Sequence, residues 1–184
     1  MSGVACRRAS RDDPSRARQV AGRARRGAPE PGADLLRKQP GTYILWLRIG
    51  RVLSVPVGRF GVLRFEPGSY AYVGSAFGPG GVAARLGRHL RGSTSLRWHI
   101  DYLRAAVEPS DAWVSYAACR DEHRWTEILR AMPGAQLPVP AFGASDCRCA
   151  AHLIWFAAAP AVERFARLAG AAVRRVPLPE PGCE

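Results

Sequence analysis

The chain has 184 residues, 47% of them hydrophobic and 23% charged, with a formal net charge of +12. That length fits one domain with tails and holds a core without staples, and the ordinary composition excludes a fibrous repeat. Five cysteines, an odd number with no apolar leader in Met1–Arg11, argue against a disulfide framework, and the longest apolar stretch, Leu153–Val162 broken by Pro160, is too short to span a bilayer.

The expected setting is a reduced, cytoplasmic one. All but Lys38 of the 27 basic residues are arginine. The arginine fork suits phosphate, the commonest partner of so basic a surface. A GC-rich coding sequence gives the same bias, and the absence of Asn agrees with that second cause.

Residues 1–38 carry Arg7, Arg8, Arg11, Arg16, Arg18, Arg23, Arg25 and Arg26 with few large apolar side chains. They are expected to form a disordered basic arm, because too little surface is available to offset ordering entropy. The folded domain is expected over 39–158. Thr42–Ile49 is β-branched and aromatic and reads as a strand. Arg51–Val57, weakened by Pro56, and Gly58–Phe65 read as two more, forming a hairpin. After the turn Glu66-Pro67-Gly68-Ser69 comes a fourth strand, Tyr70–Ser75. The loop Phe77–Gly81 leads into a helix, Val82–Arg91, stopped by Gly92. Its start after a glycine-rich loop suits an anion. Trp98–Ala106 reads as a helix, Ala112–Cys119 as a strand and Asp121–Met132 as a helix with Asp121 as N-cap. After a Pro/Gly-rich loop come a short strand, His152–Phe156, and an amphipathic helix, Ala161–Arg174, within a C-terminal segment 159–176. Residues 177–184 read as a frayed tail. Strands and helices are mixed, with hairpin links early, so the class is α+β.

Cleaving a phosphodiester needs an activated water, charge stabilisation on the phosphate and commonly a metal ion. Tyr43 and Tyr72 are placed to orient water or phosphate, or for one to act as a base. Arg85 suits a phosphate clamp, and His89 lies one turn further on the same helix face. Glu127 offers oxygen ligands for a hard divalent ion such as Mg or Mn. A phenol with an ordinary pKa near 10 needs a cation beside it to act as a base at neutral pH. Cys147-x-Cys149-x-x-His152 is a second cluster, either a zinc site or cleft residues. Cys119, His123 or His99 is available as its fourth ligand. His99 and Asp101 read either as cleft residues or as helix packing.

Gly41-Thr42-Tyr43, Tyr72-Val73-Gly74, Arg85-x-x-x-His89 and Glu127 together resemble the signature of the GIY-YIG nuclease superfamily. A closer resemblance is to its Uri-type branch, found joined to endonuclease-III-like proteins. It rests on Tyr72–Ala76, Arg88-His89-Leu90, Trp98–Leu103 and Ser145-Asp146-Cys147-Arg148-Cys149-Ala150-Ala151-His152. It covers about Pro40 to Phe156 and implies a small antiparallel sheet flanked by helices. It further implies that Tyr43 activates water beside Tyr72, Arg85 stabilises phosphate, His89 supports the site and Glu127 binds the divalent metal. Gly74, Ser75, Arg88, Arg91, Arg97 and His99 are the expected nucleic-acid contacts. Two departures stand out. The gap between the tyrosines is long, as an inserted hairpin would make it, and the superfamily's late asparagine has no counterpart.

The function so implied is metal-dependent endonuclease action on DNA or structured RNA. The rival reading is a noncatalytic nucleic-acid-binding module of the same fold. A third is a zinc-stabilised interaction domain.

Overall fold

A computed structural model describes residues 36–92, 95–176 and 178. The arm up to residue 35 and nearly all of the tail at 177–184 lie outside the described residues.

Strand β1 (Gly41–Ile49) is the middle of a five-stranded antiparallel sheet. Its neighbours are β4 (Gly68–Ala76) and β5 (Pro109–Ser115); β6 (Leu153–Phe156) flanks β4, and β7 (Arg174–Val176) flanks β5. Strands β2 (Leu53–Pro56) and β3 (Val62–Phe65) form a separate hairpin between β1 and β4. Four helices complete the α+β architecture: α1 (Gly81–Arg91), α2 (His99–Ala106), α3 (Glu122–Ala131) and α4 (Val162–Ala169).

Because strand side chains alternate, β1 feeds two cores. Tyr43, Leu45, Leu47 and Ile49 point to one face, where Val82, Leu86 and Leu90 of α1, Ile100 and Leu103 of α2, and Val55 and Phe65 of the hairpin cover them. Ile44 and Trp46 point to the other, against Trp125 and Leu129 of α3 and Phe165 of α4. Burying each such Leu or Phe contributes about 1.5–3 kcal/mol. Arg104 ties α1 to α2: its Nε donates to the His89 carbonyl at 2.7 Å and Nη2 to the Leu90 carbonyl at 2.9 Å. It thereby satisfies carbonyls at the C-terminal end of α1.

Several expected boundaries move. The third strand does not begin at Gly58, because Gly58–Phe60 closes a 3-10 turn whose Phe60 N–H donates to the Val57 carbonyl. The fifth strand spans Pro109–Ser115 and stops short of Cys119. The last helix does not reach Arg174. Gly170 takes the left-handed conformation (φ 55°) and ends it, and residues 174–176 then add a strand beside β5. Asp121 takes the N-cap position of α3 with no side-chain capping bond, while its backbone N–H donates to Thr42 Oγ1 at 3.3 Å. No described helix is long and apolar enough to cross a membrane.

Candidate active site

Tyr43 pairs across the sheet with Gly74, and Leu45 with Tyr72, so both phenols rise from the same face near one end of the strands. Gly74 has a steric role here. A Cβ on it would come within 2.5 Å of the Tyr43 hydroxyl and ring, so only glycine lets the phenol lie across β4.

Helix α1 lies over this face, and its period brings Arg85 and His89 to the phenols. Nε2 of His89 is 3.1 Å from the Tyr43 hydroxyl. Its ring centroid lies 6.0 Å from that of Tyr43, 6.3 Å from Tyr72 and 5.7 Å from Trp98. Nδ1 of His89 sits 3.3 Å from Oδ1 of the buried Asp101, a close contact rather than an in-line hydrogen bond. A carboxylate facing Nδ1 favours the proton there, which leaves Nε2 to accept from Tyr43.

Asp101 is held from every side. Arg88 Nη2 donates to its two oxygens at 2.7 and 2.8 Å, and the amides of Arg97 and Trp98 donate at 2.9 and 3.0 Å. Burial works to raise its pKa, but the close His89 ring and the hydrogen bonds from Arg88 and the two amides outweigh it and hold the carboxyl well below the usual range. Burial lowers the pKa of His89 despite Asp101, so the imidazole is neutral at pH 7.

Burial pushes the Tyr43 phenol up to about 12, against the Arg85 cation, which pulls it down. Tyr72 is raised well above 10, first by burial and then by Tyr43. Burial disfavours the Arg85 cation, but Tyr43, Tyr72 and Glu122 more than restore it. Its guanidinium lies 4.7 Å from the Trp98 ring centroid, and its buried Nε has no hydrogen-bond partner among the described residues.

Of the two α3 carboxylates, Glu122 rather than Glu127 acts on this pocket. Glu122 opens α3, beside the ends of β1 and β4, and its charge bears on both phenols and on Arg85. Ser75 Oγ donates to one of its oxygens, and His152 Nδ1 lies 2.8 Å from the other. Burial works to raise its pKa, but His152, Ser75 and Arg85 hold it below the ordinary value. Glu127 lies five residues on, about 7.5 Å along the helix and about 140° around it. Its side chain is 56% exposed and holds Arg130 at 2.7 Å.

Other expected site residues are spent elsewhere. Arg88 is committed to Asp101 and stacks 4.0 Å from the Trp98 centroid. His99 accepts from the Gly143 amide at 3.0 Å and packs against Phe60 and Phe142. Arg91 and Arg97 are exposed. Ser75 and Gly74 lie at the pocket, the first on Glu122 and the second under Tyr43. The start of α1 is closed to an anion: the amides of Gly81, Val82, Ala83 and Ala84 donate to the carbonyls of Gly78, Gln39, Arg37 and Gly80. A cleft at the far end of the strands, lined by Trp46, Gly68, Asp111, Trp155 and Arg175, contains none of these groups.

Behind Glu122, the sequence cluster Cys147, Cys149 and His152 is joined by His123, so that of the three candidates for a fourth ligand His123 takes the place. The four donor atoms lie within 4.8 Å of one another and could hold a metal ion. Cys119 is exposed and apart from them.

Among known proteins, the family described as Domain of unknown function DUF123 matches residues 42–174, which takes in all of these groups. No curated protein and no solved structure matches the chain.

Proposed function

We propose that this chain, which belongs to the DUF123 family, hydrolyses phosphodiester bonds of nucleic acid with the help of a divalent metal ion, as a nuclease of the GIY-YIG type. The observation that carries the reading is the convergence of Tyr43, Tyr72, Arg85 and His89 on one buried pocket under the charge of Glu122. The resemblance of Gly41-Thr42-Tyr43, Tyr72-Val73-Gly74 and Arg85-x-x-x-His89 to that superfamily's signature supports it, with Glu122 in the role expected of Glu127.

Glu122 suits a hard cation. It is an oxygen donor kept ionised by His152 and Ser75, and its side chain is 19% exposed. A bound Mg or Mn would neutralise charge on the phosphate. The remaining work falls to the chain's own groups. Arg85, with its unpartnered Nε, clamps the phosphate. Tyr43 passes its proton to His89 Nε2 as it takes one from the attacking water, so a free phenolate, unfavourable at a pKa of about 12, does not accumulate. Asp101 steadies the imidazolium so formed. Arg91 and Arg97, exposed at the end of α1 and before α2, suit the nucleic-acid backbone.

The experiment is a cleavage assay on nicked, branched and single-stranded DNA and on structured RNA, with Mg or Mn. Metal-dependent cutting that is lost in Glu122→Gln supports the reading. A second reading, a noncatalytic nucleic-acid-binding module, draws on the high phenol pKa values and on the missing asparagine. It expects salt-sensitive binding and no cleavage with either metal.

A further inference from the structure

Two thiols and two imidazoles that the proposed reaction does not use lie against the back of Glu122. His123 follows Glu122 in the first turn of α3, and His152 immediately precedes β6. Cys149 Sγ is 3.0 Å from His123 Nδ1, and Cys147 Sγ is 3.3 Å from His152 Nε2. All four donor atoms fall within 4.8 Å of one another. A tetrahedron with Zn–S of about 2.3 Å and Zn–N of about 2.0 Å has edges of about 3.3–3.8 Å, so only small side-chain shifts separate this arrangement from a closed site. Two sulfurs and two ring nitrogens are a zinc donor set, too soft for Mg or Ca. His152 is buried, with His123 exposed at the mouth and the cysteines between.

We infer that Cys147, Cys149, His123 and His152 bind one zinc ion, and that His152 carries its hold through to Glu122. Zinc on Nε2 leaves the proton of His152 on Nδ1. That nitrogen lies 2.8 Å from a Glu122 oxygen, a close contact that a small ring rotation turns into an in-line hydrogen bond, while Ser75 holds the other oxygen. A ligating histidine whose second nitrogen meets a carboxylate is the usual outer arrangement of zinc sites, and it fixes both ring and carboxylate. The zinc is therefore a positioning ion for a carboxylate whose field reaches the tyrosine pocket. The cluster stands whether or not that pocket cleaves nucleic acid.

The test uses the full chain and reads metal, not cleavage. Elemental analysis of the purified wild-type protein is expected to give about one zinc per chain. The cobalt-loaded protein is expected to show tetrahedral d–d bands and thiolate-to-cobalt charge transfer. Cys147→Ser with Cys149→Ser should abolish both. Should that double variant fail to fold, the cobalt spectrum of the wild type decides the site by itself. In competition titrations Glu122→Gln is expected to keep the stoichiometry but bind zinc about 10–100-fold more weakly, as loss of such a carboxylate does. Folded wild-type protein that neither retains nor takes up zinc overturns the site. Equal zinc affinity in Glu122→Gln and wild type overturns the link to Glu122.

Discussion

The Tyr43 hydroxyl lies 3.1 Å from Nε2 of His89, and both side chains are closed off from solvent. Neither residue explains the contact alone. Strand β1 supplies the phenol, α1 the imidazole, and Asp101 of α2 faces the other ring nitrogen at 3.3 Å. A neutral histidine backed by a carboxylate is a proton acceptor for a phenol that burial keeps protonated.

Tyr43→Phe removes the hydroxyl and little else. It is expected to lower single-turnover cleavage about 10²–10⁴-fold. It should also cost about 1–3 kcal/mol of stability, because Nε2 loses its partner. Cleavage at the wild-type rate by a folded Tyr43→Phe variant would remove the relay from the mechanism.

Glu122→Gln is expected to reduce cleavage by about 100-fold or more, since under the proposed function it removes the charge that holds the metal beside the phosphate. Glu127→Gln breaks only an exposed pair with Arg130 and should leave the rate unchanged. The opposite ranking would return the carboxylate role to Glu127.

Asp101 gives a pH signature. Its folded carboxyl lies below the unfolded value, so ionisation favours folding. The contribution is complete above an unfolded pKa of about 4, and it is lost as pH falls from there through the lower folded pKa. At pH 7 Asp101→Asn leaves Arg88 without its buried partner and should cost about 3–5 kcal/mol. Denaturant melts of the two proteins should differ by that amount at pH 7 and converge as pH falls below about 4. A gap that widens below pH 4 contradicts the assignment.

Gly74→Ala places a Cβ within 2.5 Å of the Tyr43 ring. Overpacking of this kind costs about 1–3 kcal/mol, and at about 2–4 °C per kcal/mol the melting temperature should fall by several degrees. An unchanged melt would mean that the phenol has room to move off β4.

Much of this was legible in the sequence, and the misses share a cause. The α+β class and the hairpin follow from local pattern, whereas Tyr43, Tyr72, Arg85 and His89 are marked by the resemblance to the nuclease signature, local spacing adding only that the last two share a helix face. Glu122 and Glu127 sit on one helix with nothing in its composition to say which of them meets the strand ends. Only the docking of α3 beside Thr42 decides that, although a carboxylate in the first turn was the signal available. Arg88 and His99 looked free because their partners, Asp101 and the Gly143 amide, lie 13 and 44 residues away. The last helix was overextended because Gly170 sits within an Ala-rich run whose left-handed turn local propensity does not reveal.

The most direct test of the central claim is single-turnover cleavage of an end-labelled nicked duplex with Mg or Mn, comparing wild type with Arg85→Ala. Tyr43, Tyr72 and Glu122 all act on the Arg85 cation. The account expects metal-dependent cutting by wild type and a loss of about 100-fold or more in Arg85→Ala with the fold intact. Equal rates in the two proteins, or no cutting by a wild-type chain that binds the duplex, would contradict it.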